Sequence, residues 1–280
     1  MVLFLFLAHL GLGIVFTLVF VPREAGVKFF RFNAGLAAIF LVGALAFLFR
    51  ALADTAVWQG GSRGIGAVSV GAADSLSLEA FAASTFSVVV YWATVGRGFA
   101  RLRPTLVGIA LVGGLAAVIL QGVSFGGATG TRFLTVVSFL SSAALLGTAC
   151  TAMILGHWYL VIPSMQVSYL QSIAKLHIGS MVVRIVVVGA VVSYAVAMSS
   201  PTRFGAPSFL HYITSIDGVF FWQRVLFGLG GPALLSYLTW ETAKIRSTQS
   251  ATGILYVDFF TVVVGEVLAK YILLSTNVPV

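Results

Sequence analysis

Apolar residues run along this chain in blocks of about twenty, not at the alternating or half-and-half spacing of a soluble fold. Eight blocks, at 2–21, 34–52, 78–96, 105–122, 133–155, 178–198, 218–240 and 252–274, are long enough to cross a hydrocarbon core. Backbone exposed to lipid must satisfy its own hydrogen bonds, so the blocks predict helices. The alternating polarity of a barrel strand is absent. The expected fold is all-α: a polytopic membrane helix bundle of about eight transmembrane helices, making a single transmembrane domain over residues 1–280. The first block has no basic residue before its apolar run. Arg23, Lys28 and Arg31 follow it instead, so it reads as a span and not as a signal peptide.

The polar intervals orient the bundle. With the segment after the first span placed in the cytoplasm, the inner loops hold Arg23, Lys28, Arg31, Arg97, Arg101, Arg103, Lys175, Lys244 and Arg246, and the outer ones hold Arg50, Arg63, Arg132 and Arg203. Nine basic residues against four predict both termini on the extracytoplasmic side of a multi-pass protein of the inner (cytoplasmic) membrane. The formal net charge of +8 is then mostly an orientation signal, and nucleic acid is not an expected partner. Composition agrees: 59% of the 280 residues are hydrophobic, 9% are charged and mean hydropathy is +1.06, which excludes a disordered chain or an ordinary soluble enzyme. The one cysteine, Cys150, leaves no internal disulfide and no thiolate-ligated iron–sulfur or zinc site.

One motif is a decoy. Residues 60–66, Gly-Gly-Ser-Arg-Gly-Ile-Gly, look like the glycine-rich phosphate loop of a dinucleotide fold. That loop works between a buried strand and a helix N-terminus. Here it follows the end of a membrane span, so it is expected to be an ordinary loop.

Charge inside a bilayer costs several kcal/mol on insertion scales, so each buried charge needs a partner or a task. Arg184, Arg224, Asp258, Glu266 and Lys270 lie within spans. Counted by depth, Arg224, Glu266, Lys270 and His9 share one half of the bilayer, and Glu266 can pair with Lys270 one helical turn on. Arg184 and Asp258 share the other half and are expected to pair. His157 and His177 flank the connection between spans five and six. The run Gly156-His157-Trp158-Tyr159-Leu160 sets imidazole, indole and phenol side by side, either as an interfacial aromatic belt or as a quinone-head site. His157 with His177, or His9 with His211, would be the formal pairs for a b-haem, although His211 reads as a loop residue. Ser138, Ser141, Ser142 and Thr148 read as interhelical hydrogen-bonding glue, and the glycines before Pro232 as a packing or kinking feature.

Residues 265–271, Gly-Glu-Val-Leu-Ala-Lys-Tyr, resemble the Gly-Glu-x-x-x-Arg/Lys-aromatic ending of membrane anchors in the dimethyl sulfoxide reductase and polysulfide reductase (NrfD-like) group. The resemblance covers about thirty residues of the last third of the chain. It implies a bundle that binds quinone or quinol, exchanges electrons with a separate iron–sulfur subunit and commonly holds no cofactor of its own. Glu266 and Lys270 would be the pair at the quinone site.

Three readings remain open. The first is an integral membrane subunit of a respiratory electron-transfer complex. It would anchor other membrane subunits and an iron–sulfur or cytochrome subunit, and contact quinone without being a catalyst alone. The second is a secondary transporter or channel, and the third a b-haem cytochrome subunit. In the first, the residues of a quinone or proton pathway would be His9, His157, Trp158, Tyr159, Arg184, Arg224, Asp258, Glu266 and Lys270.

Overall fold

A computed structural model describes residues 1–60, 72–98, 100–125, 129–162, 165–198 and 209–280. In chain order the helices are α1 (Val2–Leu18), α2 (Val27–Gly60), α3 (Ala72–Thr94), α4 (Arg103–Phe125), α5 (Thr129–Val161), α6 (Val167–Ala197), α7 (Phe209–Thr214), α8 (Val219–Val225), α9 (Gly231–Lys244) and α10 (Thr248–Thr276). A π turn, Leu226–Gly230, joins α8 to α9. The described residues contain no strand.

Six helical stretches are long and apolar enough to cross a membrane, in α2 to α6 and over Ile216–Lys244. The chain is a multi-pass helical membrane protein. The other two expected spans differ for separate reasons. The 17 residues of α1 fall short of the twenty or so that a crossing needs. The 29 residues of α10 suffice in length, but Asp258, Glu266 and Lys270 lie within it. Several helices outrun the apolar blocks. The span predicted from 178 begins at Val167, and α5 continues to Val161, so His157, Trp158, Tyr159 and His177 are helical residues. His211, expected in a loop, lies in α7. The glycine-rich motif falls outside the described residues from position 61 onward.

Turn chemistry sets the connections. Gly26 (φ 87°) and Gly96 (φ 78°) take left-handed conformations that side chains rarely adopt, ahead of α2 and after α3. Asn277 caps α10 in the same region (φ 58°), its N–H donating to the Leu273 carbonyl.

The bundle is organised around α5, which packs against α1, α4, α6 and α10. Its most apolar window is 67% buried, against 28–33% for the other five. Outward faces carry large apolar side chains, Ile39, Phe86, Val112 and Phe133 among them, each 68–71% exposed, as lipid contact requires. Helices in lipid gain no hydrophobic drive from meeting each other and rely on close packing at small residues. Gly13 of α1 and Gly147 of α5 supply such a contact: a methyl on Gly147 would overlap the Gly13 backbone, and one on Gly13 the Ala143 carbonyl. Gly147→Ala is therefore expected to force α1 off α5 and destabilise the bundle by about 1–3 kcal/mol, the usual cost of overpacking. Thermal unfolding in detergent, followed by tryptophan fluorescence, would show a lowered Tm.

Candidate functional site

Three residues of α10 spaced by four, Asp258, Val262 and Glu266, face the interior, and Lys270 continues the row; each is at most 2% exposed. Glu266 is the centre of a polar cluster built from five helices. From α6, Arg184 grips its carboxylate in a fork, Nε to Oε1 at 2.9 Å and Nη2 to Oε2 at 3.1 Å. From α8, Arg224 Nη2 donates to Oε1 at 2.7 Å. From α5, the Ser142 hydroxyl donates to Oε2 at 2.5 Å. Lys270 Nζ lies 3.6 Å from Oε2 and donates to Ser142 Oγ at 2.7 Å. From α1, His9 Nδ1 lies 3.3 Å from the same hydroxyl.

The expected Glu266–Lys270 pair is present, but as the weakest of three cation contacts to that carboxylate. Arg184 does not pair with Asp258. Those residues lie in different layers, because α6 starts early and brings Arg184 level with Glu266. Arg184 also donates to the Ser138 carbonyl at 3.1 Å, the Ser138 hydroxyl at 2.8 Å, the Ser141 hydroxyl at 3.3 Å and the Val280 carbonyl at 3.1 Å. A planar guanidinium with five donors suits this role better than an ammonium.

Arg224 is positioned by a break in its own helix. Proline lacks an N–H, so Pro232 cannot donate to the carbonyl four residues earlier, that of Gly228. The helix loosens there into the π turn, and Arg224 Nη1 donates to the freed Gly228 carbonyl at 2.8 Å. Gly228 and Gly265 let α10 approach closely enough for this. A methyl on either would overlap the other's Cα and come 2.7 Å or 3.1 Å from Arg224 Nη1.

Side-chain charges do not balance. Arg184, Arg224 and Lys270 present three cations to the one side-chain carboxylate of Glu266, all at most 2% exposed, and Arg184 takes the backbone oxygen of Val280 besides. Two further nitrogens are buried without a partner among the described residues, Arg224 Nε and His9 Nε2. Since Ser142 gives its single proton to Glu266, His9 must donate through Nδ1 to the Ser142 oxygen, which leaves Nε2 a bare acceptor. The unpaired Arg224 Nε–H can therefore donate to another electron-rich oxygen, and His9 Nε2 can accept a hydrogen bond from a hydroxyl.

An apolar crevice of about 350 Å³ opens between α1, α4, α5 and α6. Leu12, Gly13, Leu111, Gly114 and Val137 line it, and Ser141, the hydroxyl that Arg184 contacts, is a polar point on its wall. This volume lies within the usual range for small-molecule sites.

Asp258 belongs to a second centre. His177 Nε2 lies 2.6 Å from Asp258 Oδ2, a close contact that lacks the geometry of a hydrogen bond. His177 Nδ1 is 3.2 Å from Thr148 Oγ1, which is 2.8 Å from Ser180 Oγ. Asp258 Oδ1 has no partner among the described residues.

The His157-Trp158-Tyr159 run does not converge on one site. His157 is exposed and its Nδ1 lies 3.1 Å from the Tyr256 hydroxyl. Trp158 packs edge-on against Phe29, with centroids 5.7 Å apart. Tyr159 is buried and donates to the Gln166 carbonyl. Consecutive helical residues lie about 100° apart, so adjacency in sequence separates the three in space. His157 and His177, the formal haem pair of the sequence, have different surroundings: His177 is buried against Asp258 and Thr148, and His157 is exposed beside Tyr256.

Searches against protein families, curated proteins and solved structures find no match.

Sequence reasoning missed the Gly228 carbonyl and the convergence of Arg184 on Glu266. The serines of α5 were legible as glue, and their spacing (138, 141, 142, 148) was the available signal. Removing the carboxylate charge by Glu266→Gln should destabilise the fold by about 3–5 kcal/mol, as for any buried ion pair deprived of one partner. The double change Glu266→Gln with Arg224→Gln should recover part of that loss. Tm in detergent reads both.

Proposed function

We propose that this chain is an integral membrane subunit of a respiratory electron-transfer complex and holds a quinone or quinol against the Glu266 cluster. The observation that carries the reading is the gathering of three buried cations on the one side chain of Glu266, beside an apolar crevice that reaches the cluster through Ser141. A quinone supplies reversible two-electron, two-proton chemistry, and negative charge grows on its oxygens as it is reduced. Inside a low-dielectric bundle, fixed guanidinium groups stabilise such charge far more than they would in water. The crevice takes the apolar ring and chain, Ser141 and Arg184 orient the head, and Glu266 keeps the cations in place. The likeness of residues 265–271 to the NrfD-like anchors supports the same reading, and with it an iron–sulfur or cytochrome partner that exchanges electrons with the bound quinone. The chain then acts as anchor and quinone site within an oxidoreductase, in the cytoplasmic membrane.

Completing the bundle, α1 and α10 would cross with the six longer segments to make eight spans, with both termini extracytoplasmic as the nine-to-four basic bias favours. Cysteines introduced at positions 2 and 278 should react with a membrane-impermeant maleimide added to intact cells, and one at position 101 only after lysis. The reverse pattern would invert the topology.

Decylubiquinone titrated into the purified protein should quench tryptophan fluorescence saturably. Val137→Trp, which fills the crevice away from the charges, should abolish binding. Arg184→Lys, which loses the fork, should weaken it about tenfold, the equivalent of one lost polar contact. Equal affinity in wild type and Val137→Trp would remove the quinone from this crevice. Uptake of a solute by liposomes containing the chain alone would instead favour a transporter.

A further inference from the structure

Three helices carry the same three-step pattern at matching heights. On α10 it runs Asp258, Val262, Glu266; on α6, His177, Met181, Arg184; on the antiparallel α5, Thr148, Leu145, Ser141. Each step is three or four residues, so each triplet lies along one helix face. The polar ends meet each other: His177 lies between Asp258 and Thr148 at one level, and Arg184 between Glu266 and Ser141 at the other. Between them lies one apolar layer, Leu145, Met181 and Val262, none more than 2% exposed. The two polar levels are about 12 Å apart along α10, eight residues at ~1.5 Å each.

Among the described residues the side chains of the lower pair contact each other and a hydroxyl, and none of the upper cluster. Other charges near α10 are committed elsewhere: Arg224 of α8 to Glu266, and Glu241 and Lys244 of α9 to each other at the surface. His9 of α1 sits against Ser142. The polar side chains buried on α5 beyond Leu145 and on α9 are hydroxyls, Thr148, Thr151, Ser236 and Thr239, with the Cys150 thiol, and the exposed His157 of α5 meets Tyr256 of α10. At 2.6 Å two bare lone pairs cannot face each other, so a proton sits on one partner of the Asp258–His177 pair. Asp258 Oδ1, buried and unpartnered, is a free second position for it.

We propose that Asp258 and His177 form a proton-transfer site that delivers protons across the Leu145–Met181–Val262 layer to the ligand at the Glu266 cluster. This rests on the quinone reading for the identity of the acceptor. The balance is simple. A quinone takes two electrons from a redox-active partner protein and two protons, giving the quinol. Each proton leaves the Asp258–His177 pair, crosses the layer and is replaced from water on the pair's own side. The apolar layer keeps the route closed until a reduced, negatively charged ligand draws the proton over.

The test uses the purified full chain with decylubiquinone bound and reduced by the carboxyl radical anion, which a radiolytic pulse makes from formate and which becomes carbon dioxide. A pH-indicating dye records proton uptake. Asp258→Asn should slow uptake on the order of tenfold or more, as loss of a positioned proton donor does, with decylubiquinone affinity unchanged. Val262→Ser, which leaves both polar sites intact, should speed it. Uptake at the wild-type rate in both variants, with the quinone bound, overturns the proposal. If decylubiquinone does not bind the wild type, the quinone reading fails, and the proton site is judged separately by infrared spectroscopy. The Asp258 carboxyl band, identified by its loss in Asp258→Asn, should shift when wild type is moved into D2O. A band that does not shift marks a sealed structural pair and overturns the proposal on that arm.

Discussion

One carboxylate at the centre of the bundle sets the terms for the rest. Glu266 holds Arg184 and Arg224 within 2.9 Å and draws in Lys270 and Ser142, so α5, α6, α8 and α10 meet at a single group, with α1 reaching it through His9. In lipid an unpaired buried charge is intolerable, and Arg184 and Arg224 both lose their carboxylate if the helices separate. Apolar packing alone would let the helices slide along one another; a forked guanidinium–carboxylate contact does not. The local irregularities serve the same point. The π turn exists because Pro232 withholds a donor, and the released carbonyl becomes a rest for Arg224. Gly228 and Gly265 are small because a guanidinium has to lie beside their crossing.

What the cluster holds together, it also leaves unfinished. Three cations around one side-chain carboxylate, with the Arg224 Nε–H unpartnered among the described residues, exceed what a purely structural network needs. A bundle designed only for rigidity would be better served by apolar residues of the same volume. The surplus lies beside an apolar crevice, and the Asp258–His177 pair sits one layer away. The quinone proposal rests on these features.

Much of this was legible in the chain. The helical class, the membrane setting and the short list of buried charges follow from block length and from the cost of charge in lipid. So does the pairing of Glu266 with Lys270, because both lie on one helix. The partners across helices were not legible. Depth counting from presumed span ends put Arg184 beside Asp258, and the error came from the start of α6: an amphipathic extension from Val167 to His177 is helical but not apolar enough to register as a span. The His157-Trp158-Tyr159 run misled in the opposite way, since neighbours in a helix face different directions.

Sequence by itself determined that residues cross a membrane as helices and which charges they carry inward, because hydropathy and backbone hydrogen bonding in lipid are local matters. It determined the rows on each helix, because a period of 3.6 residues needs no partner. Only the tertiary structure decided which rows face each other and at what height. That depends on helix starts, on glycine crossings such as Gly13 with Gly147, and on one proline, each of which sets the height of one helix against another. A shift of about two turns is enough to exchange Asp258 for Glu266 as the partner of Arg184, and with it a structural pair for a charged pocket.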